Sequence, residues 1–196
     1  IKCRTLTCAP TNSAVLEVTK RLLSLVRSLK YGKYRLGDII LFGSGERLRI
    51  DGCDDLRDVF LDYRVNVLRK CFTSSSGWKD CLEVVIRFLE NPKLEYNIYF
   101  KERKKKNVEV EDELKQEEST SNPVKEDDDT MTFEEFVKRK FSLIGKSLKC
   151  CMSDLYTHLP TSLLPLEVVK DMTRALKLLT SLRTLLCSLS TVANEG

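Results

Sequence analysis

The chain has 196 residues, 42% of them hydrophobic and 32% charged, with a formal net charge of +4. That supports one ordinary domain or two small ones, while no apolar run approaches the roughly 20 residues of a membrane span. The opening Ile-Lys-Cys-Arg has neither a methionine nor an apolar leader segment, which argues against a signal peptide.

The first predicted element is a strand rising through Thr5 to Cys8 and Ala9 and stopped by Pro10. Thr11 and Asn12 stand where a helix begins. Val15, Val18, Leu22, Val26 and Leu29, with Leu25 alongside, recur at helical spacing, while Lys20, Ser24 and Arg27 fall opposite. A strand, a tight turn and a helix follow, and the turn carries two hydrogen-bonding side chains at a helix N-terminus. Free N–H groups and the helix dipole suit such a turn to phosphate. Plain helix capping by Thr11 or Asn12 is the other reading of the same residues. A strand this close to residue 1, with no methionine, predicts that the chain is a piece of something longer.

Leu36 to Phe42 reads as a short buried strand, and Gly43 and Gly45 as turn residues leading to an alternating piece from Arg47 to Ile50. Asp51-Gly52 marks another turn. Leu56, Val59, Phe60, Tyr63, Val67 and Cys71 then trace one helical stripe, and Trp78, Cys81, Leu82, Val85, Phe88 and Leu89 a second that ends at Asn91-Pro92. Trp78 fits a core position or a base-stacking one.

Residues 101–129 hold seven basic and eleven acidic side chains, so the rest of the chain is distinctly basic, which is compatible with a polyanionic partner. The basic cluster Lys101 to Lys106 reads either as a nuclear-localisation or nucleic-acid contact or as the solvated flank of a linker. From Asn107 to Asp129 the apolar residues are too few to offset ordering entropy, so the composition predicts disorder over 101–130.

Thr132-Phe-Glu-Glu135 is a capping box. Phe133, Val137, Phe141, Ile144, Leu148, Cys151 and Leu155 follow on one helical face. After Pro160 and Pro165 a further stripe runs through Val169, Met172, Leu176, Leu179, Leu182, Leu186 and Leu189. Two long amphipathic helices with a short connection predict an antiparallel hairpin over 131–190. The eight cysteines show no C-x-x-C pair and His158 is the single histidine, so metal-ligand spacing is absent. Scattered cysteines at apolar helical positions suit a reducing compartment, cytosol or nucleus. A Cys–His nucleophile pair at His158 has no third, orienting group in sight.

Cys8-Ala-Pro-Thr-Asn-Ser-Ala-Val15 resembles motif Ia of superfamily 1 helicases, in the group that includes up-frameshift and senataxin-like proteins. Leu36-Gly-Asp-Ile-Ile-Leu-Phe-Gly43, Val59-Phe-Leu-Asp-Tyr-Arg64, Gly77-Trp-Lys79 and Tyr156-Thr-His-Leu-Pro-Thr-Ser162 resemble the plant members, often described as similar to the tRNA-splicing endonuclease positive effector. The resemblance implies an α/β N-terminus over residues 1–45, a slice of a RecA-like P-loop NTPase domain. A mainly α-helical insertion follows it: a helical segment over 46–100, the charged linker over 101–130 and the hairpin over 131–190. It further implies that Pro10, Thr11, Asn12 and Ser13 touch the backbone of single-stranded RNA or DNA, and that the protein works in the nucleus, with the cytoplasm as the other option.

Helicase chemistry needs a phosphate loop with its lysine and a carboxylate for magnesium. Neither motif occurs in this chain, so no catalytic residue, metal ligand or cofactor is assigned to it. ATP and magnesium are expected only for a complete protein of this family. Gly145-Lys-Ser147 is a chance match inside a helical stripe. The competing interpretation is a non-enzymatic helical interaction module with an acidic disordered loop.

Overall fold

The computed structural model describes residues 4–48, 50, 54–114 and 131–192. Its elements are α1 (Asn12–Arg27), α2 (Gly32–Arg35), a 3-10 turn (Leu36–Asp38), α3 (Gly45–Leu48), α4 (Asp54–Arg57), α5 (Leu61–Cys71), α6 (Trp78–Glu90), α7 (Pro92–Leu114), α8 (Phe133–His158) and α9 (Leu166–Val192). Among the described residues there is no strand, so the expected α/β slice over 1–45 is corrected to an all-helical arrangement.

The reason lies in the hydrogen bonds. A strand needs neighbours for its N–H and C=O groups, and residues 4–9 form no ladder. Leu36–Phe42 has a single bridge: Leu41 N donates to Val59 O and Leu61 N donates to Leu41 O, both at 2.8 Å. The carbonyls of Leu36, Gly37 and Ile39 instead accept from the Arg64 guanidinium. The expected alternating piece also differs, since Arg47 and Leu48 belong to α3. The Asp51-Gly52 turn lies outside the described residues.

The chain divides into two compact units, Ile1–Cys81 with Ser147–Leu178, and Leu82–Lys146 with Leu179–Gly196. The core of the first gathers Leu23, Leu36, Leu41, Leu48, Ile50, Leu56, Val59 and Phe60, with Val15, Leu16 and Val26 of α1 packed against it. The buried face of α1 therefore runs through Thr19 and Leu23. Val18, Leu22, Leu25 and Leu29, expected on the inner face, are exposed, Leu25 to 67%. Both sides of α1 are apolar enough to be buried, and helical period alone does not rank them.

In the second unit Phe88, Phe136 and Phe141 form the core, with Leu179, Leu182 and Leu186 against it. Pro92 ends α6 and at once opens α7, where a first-turn proline lacks only an N–H that no helix would use. Helix α7 then runs to Leu114, through the Lys101–Lys106 cluster and into the stretch expected to be disordered. Tyr96 and Tyr99 anchor it on Phe136, with ring centroids 5.3 and 5.0 Å apart, and Tyr96 donates to Met131 O at 2.9 Å. Beyond Phe100, lysine and glutamate are good helix formers without any apolar face. Residues 115–130 of the expected linker lie outside the described residues.

Candidate nucleic-acid interface

Thr11 takes extended backbone angles (φ −132°, ψ 151°) immediately before α1 and caps it: its Oγ accepts the Ala14 N–H at 3.2 Å, and its carbonyl accepts the Val15 N–H at 3.2 Å. Of the N–H groups that a helix start leaves over, those of Asn12 and Ser13 make no hydrogen bond among the described residues. Asn12 Nδ2 donates to Arg47 O at 3.3 Å, tying the turn to the end of α3. Pro10, Thr11, Asn12 and Ser13 are all exposed, and the first turn of α1 contains no acid. The four residues thus form one continuous exposed corner. A capping hydroxyl that accepts from Ala14 N still has its own proton to donate outward, so capping and anion contact are compatible at Thr11.

A second cluster was missed on the sequence and lies at the centre of the first unit. Arg64, 4% exposed, donates from Nη1 to Gly37 O at 3.0 Å and from Nη2 to Leu36 O, Ile39 O and Asp58 O at 2.9, 2.6 and 3.3 Å. Its Nε is buried without a partner among the described residues. Burial pulls the guanidinium below its ordinary value, with Asp38 and Asp58 opposing. His158 puts Nδ1 3.2 Å from Asp58 O and packs edge-on against Tyr63, with ring centroids 5.9 Å apart. Burial pushes its pKa down. Asp38 accepts from both Thr161 N and Thr161 Oγ at 2.8 Å, and Tyr34 donates to Leu164 O at 2.9 Å. Gly37 comes so close to this segment that an added Cβ would lie 1.9 Å from Leu159 O.

The segments Leu36–Gly43, Val59–Arg64 and Tyr156–Ser162, with Asp58, thus meet in one hydrogen-bonded junction. Its groups hold backbone to backbone, and among the described residues the hydrogen-bond and ring contacts of His158 are to Asp58 and Tyr63, with no described cysteine paired to it; Cys3 and Cys53 lie outside the described residues. A signal for both residues existed: Arg64 and His158 fall on the apolar stripes of α5 and α8, where a polar side chain must find partners.

The remaining expectations are placed as follows. Trp78 is half-buried at the start of α6. Gly145, Lys146 and Ser147 lie mid-way along α8, where the backbone N–H groups belong to the helix, so these residues do not fit the phosphates of ATP. No group of three or more His, Cys, Asp or Glu among the described residues is arranged to hold a metal ion, and no described helix is long and apolar enough to cross a membrane. In the second unit Tyr99, Arg103, Met131, Glu135, Lys138 and Arg139 line a shallow depression of about 680 Å³. Lys138 there is paired with Glu134 at 2.5 Å. Comparisons with protein-family models, with curated proteins and with solved structures found no match to this chain.

Proposed function

We propose that this chain is part of a superfamily 1 helicase of the senataxin and up-frameshift-like group, and that the corner Pro10–Ser13 contacts the sugar–phosphate backbone of single-stranded RNA or DNA. The observation that carries the proposal is the coincidence of the Cys8–Val15 motif with an exposed, acid-free helix start whose Asn12 and Ser13 N–H groups make no hydrogen bond among the described residues. Phosphate oxygens match such donors in charge and geometry. Contacts of this kind position a strand without reading its bases. The chain's part is to bind and orient; ATP and magnesium chemistry, where the complete protein has it, belongs to residues outside this sequence.

The test is the double variant Thr11→Ala/Asn12→Ala, titrated with labelled single-stranded oligonucleotides of several sequences. The expected result is weaker binding by a similar factor for every sequence, with a shallower salt dependence. Simple capping gives the other pattern, a lower melting temperature with unchanged affinity per folded molecule, and that pattern would remove the site.

One observation favours a second reading, a helical protein-interaction module: the exposed stripe Val18, Leu22 and Leu25 on α1, with exposed Leu29 just beyond its end. Exposed apolar stripes of this kind serve as helix-recognition faces. On that reading Leu25→Glu alters partner capture and leaves strand binding intact.

A further inference from the structure

Three thiols from separate parts of the first unit meet. Cys71 ends α5 and is buried, Cys81 lies in the first turns of α6, and Cys151 lies on α8. The sulfurs of Cys81 and Cys151 are 3.9 Å apart across 70 residues of sequence, and the Cys71 thiol donates to Cys151 O at 3.9 Å. The turn between α5 and α6 fixes this meeting. Gly77 donates to Thr73 O at 2.9 Å and accepts the Cys81 N–H at 3.0 Å. A Cβ at Gly77 would lie 2.3 Å from Thr73 O and 2.5 Å from Cys71 O, so the turn closes this tightly only around glycine. Cys150, the residue just before Cys151, is exposed and is not one of the three.

We propose that Cys81 and Cys151 form a dithiol modification site that a hydroperoxide converts to an intramolecular disulfide. Closing the bond requires the sulfurs to approach from contact distance to about 2.05 Å, roughly an ångström of travel for each. Burial pushes Cys71 up to about 11 and Cys151 up to about 12, so both are thiols at neutral pH. The first step is assigned to Cys81, half-buried like Cys151, because burial holds Cys151 in its thiol form. The Cys81 thiolate sulfur attacks one peroxide oxygen, the O–O bond breaks, and Cys81 becomes a sulfenic acid while hydroxide leaves and takes up the proton that Cys81 released. Cys151 sulfur then attacks the Cys81 sulfur; the S–O bond breaks and the departing oxygen leaves as water with the Cys151 proton. Two thiols and one hydrogen peroxide become one disulfide and two waters. The new bond ties the start of α6 to α8 within the first unit. The reduced pair is the form a reducing compartment maintains, and the disulfide the form it reverses.

The test treats the 196-residue chain with stoichiometric hydrogen peroxide, blocks the remaining thiols with N-ethylmaleimide and maps the peptides by mass spectrometry without reductant. The expected result is a linked peptide pair containing Cys81 and Cys151, present in the monomer band, lost on treatment with dithiothreitol and absent from Cys81→Ser. Cys150→Ser and Cys187→Ser should retain it. Cys81 and Cys151 recovered separately alkylated, or Cys151 linked to Cys71 or Cys150 in its place, would overturn the assignment. Because the mapping is made on the unsubstituted chain, a folding defect in a variant does not affect it.

Discussion

Helices α1 and α8 are both entered through a threonine, and the two threonines do the same thing. Thr11 accepts the Ala14 N–H at 3.2 Å, and Thr132 accepts the Glu135 N–H at 3.3 Å. At α8 the carboxylate of Glu135 then turns back, accepting the Thr132 N–H at 2.9 Å and the Thr132 hydroxyl at 3.0 Å, with Glu134 adding a second negative charge to the same turn. At α1 the corresponding position is Ala14, and the first turn holds no acid. One threonine satisfies one donor. The residue three positions later decides whether a helix start is sealed against anions or left open to them.

Several changes would break this contrast or sharpen it. The largest effect should come from outside both helix ends and sets the scale of a purely architectural substitution. Arg64→Met leaves the carbonyls of Leu36, Gly37 and Ile39 without their donor. It should cost on the order of 3 kcal/mol of stability in urea titrations, with strand affinity per folded molecule unchanged. A loss of affinity in the folded fraction would tie strand binding to the junction and not to α1.

The same junction carries a pH dependence. Burial lowers the pKa of His158 in the folded state, so between that value and the unfolded value of about 6.5 the unfolded chain holds more protons. Stability should therefore fall as pH drops below about 6.5, and His158→Gln should flatten that part of the profile.

Thr11→Ala and Thr132→Ala should each cost about 1 kcal/mol, a match that thermal melts can check. Their effects on strand binding should differ, since only the first removes a group from an open end. Equal losses of affinity would erase the distinction between the two starts. Ala14→Glu should go further and build on α1 the box that α8 already has. It should stabilise the helix by about 0.5 kcal/mol while weakening strand binding. The smallest signal is at Glu135, whose carboxyl is held below its usual range chiefly by the Thr132 N–H. Its contribution is present above the ordinary carboxyl range and fades as pH falls through the lowered folded value. Glu135→Gln should remove that acid-side dependence, and α1 should show no counterpart.

The capping residues were legible because a cap is a local event. Thr132 and Glu135 sit three apart whatever the rest of the chain does, and Thr11 follows a proline that stops the preceding run. What depended on distant partners was not legible. Leu36–Phe42 has the composition of a buried strand, yet Arg64, more than 20 residues later, takes the carbonyls that a ladder would use. The inner face of α1 was read in part: Val15 and Val26 pack on the core as expected, while Val18, Leu22 and Leu25 are exposed though as apolar as Leu16 and Leu23, which face it. Helix α7 was hidden for a third reason: its second half has helical propensity without amphipathic period, and what anchors it is the pair Tyr96 and Tyr99 at its start. The meeting of Cys81 and Cys151 was out of reach, because two scattered cysteines say nothing of their distance until the turn at Gly77 is known.

The central claim, that the open start of α1 is a phosphate contact, is tested most directly by Ser13→Asp. The new carboxylate would lie in the first turn, where it favours the helix by about 0.3–1 kcal/mol and repels a phosphate. Folding and binding should then move in opposite directions. Measured by fluorescence anisotropy against a single-stranded homopolymer, with a thermal melt on the same sample, the variant should bind several-fold more weakly while melting no lower than the parent chain. Unchanged affinity at an equal or higher melting temperature would contradict the account and leave Thr11 a cap alone.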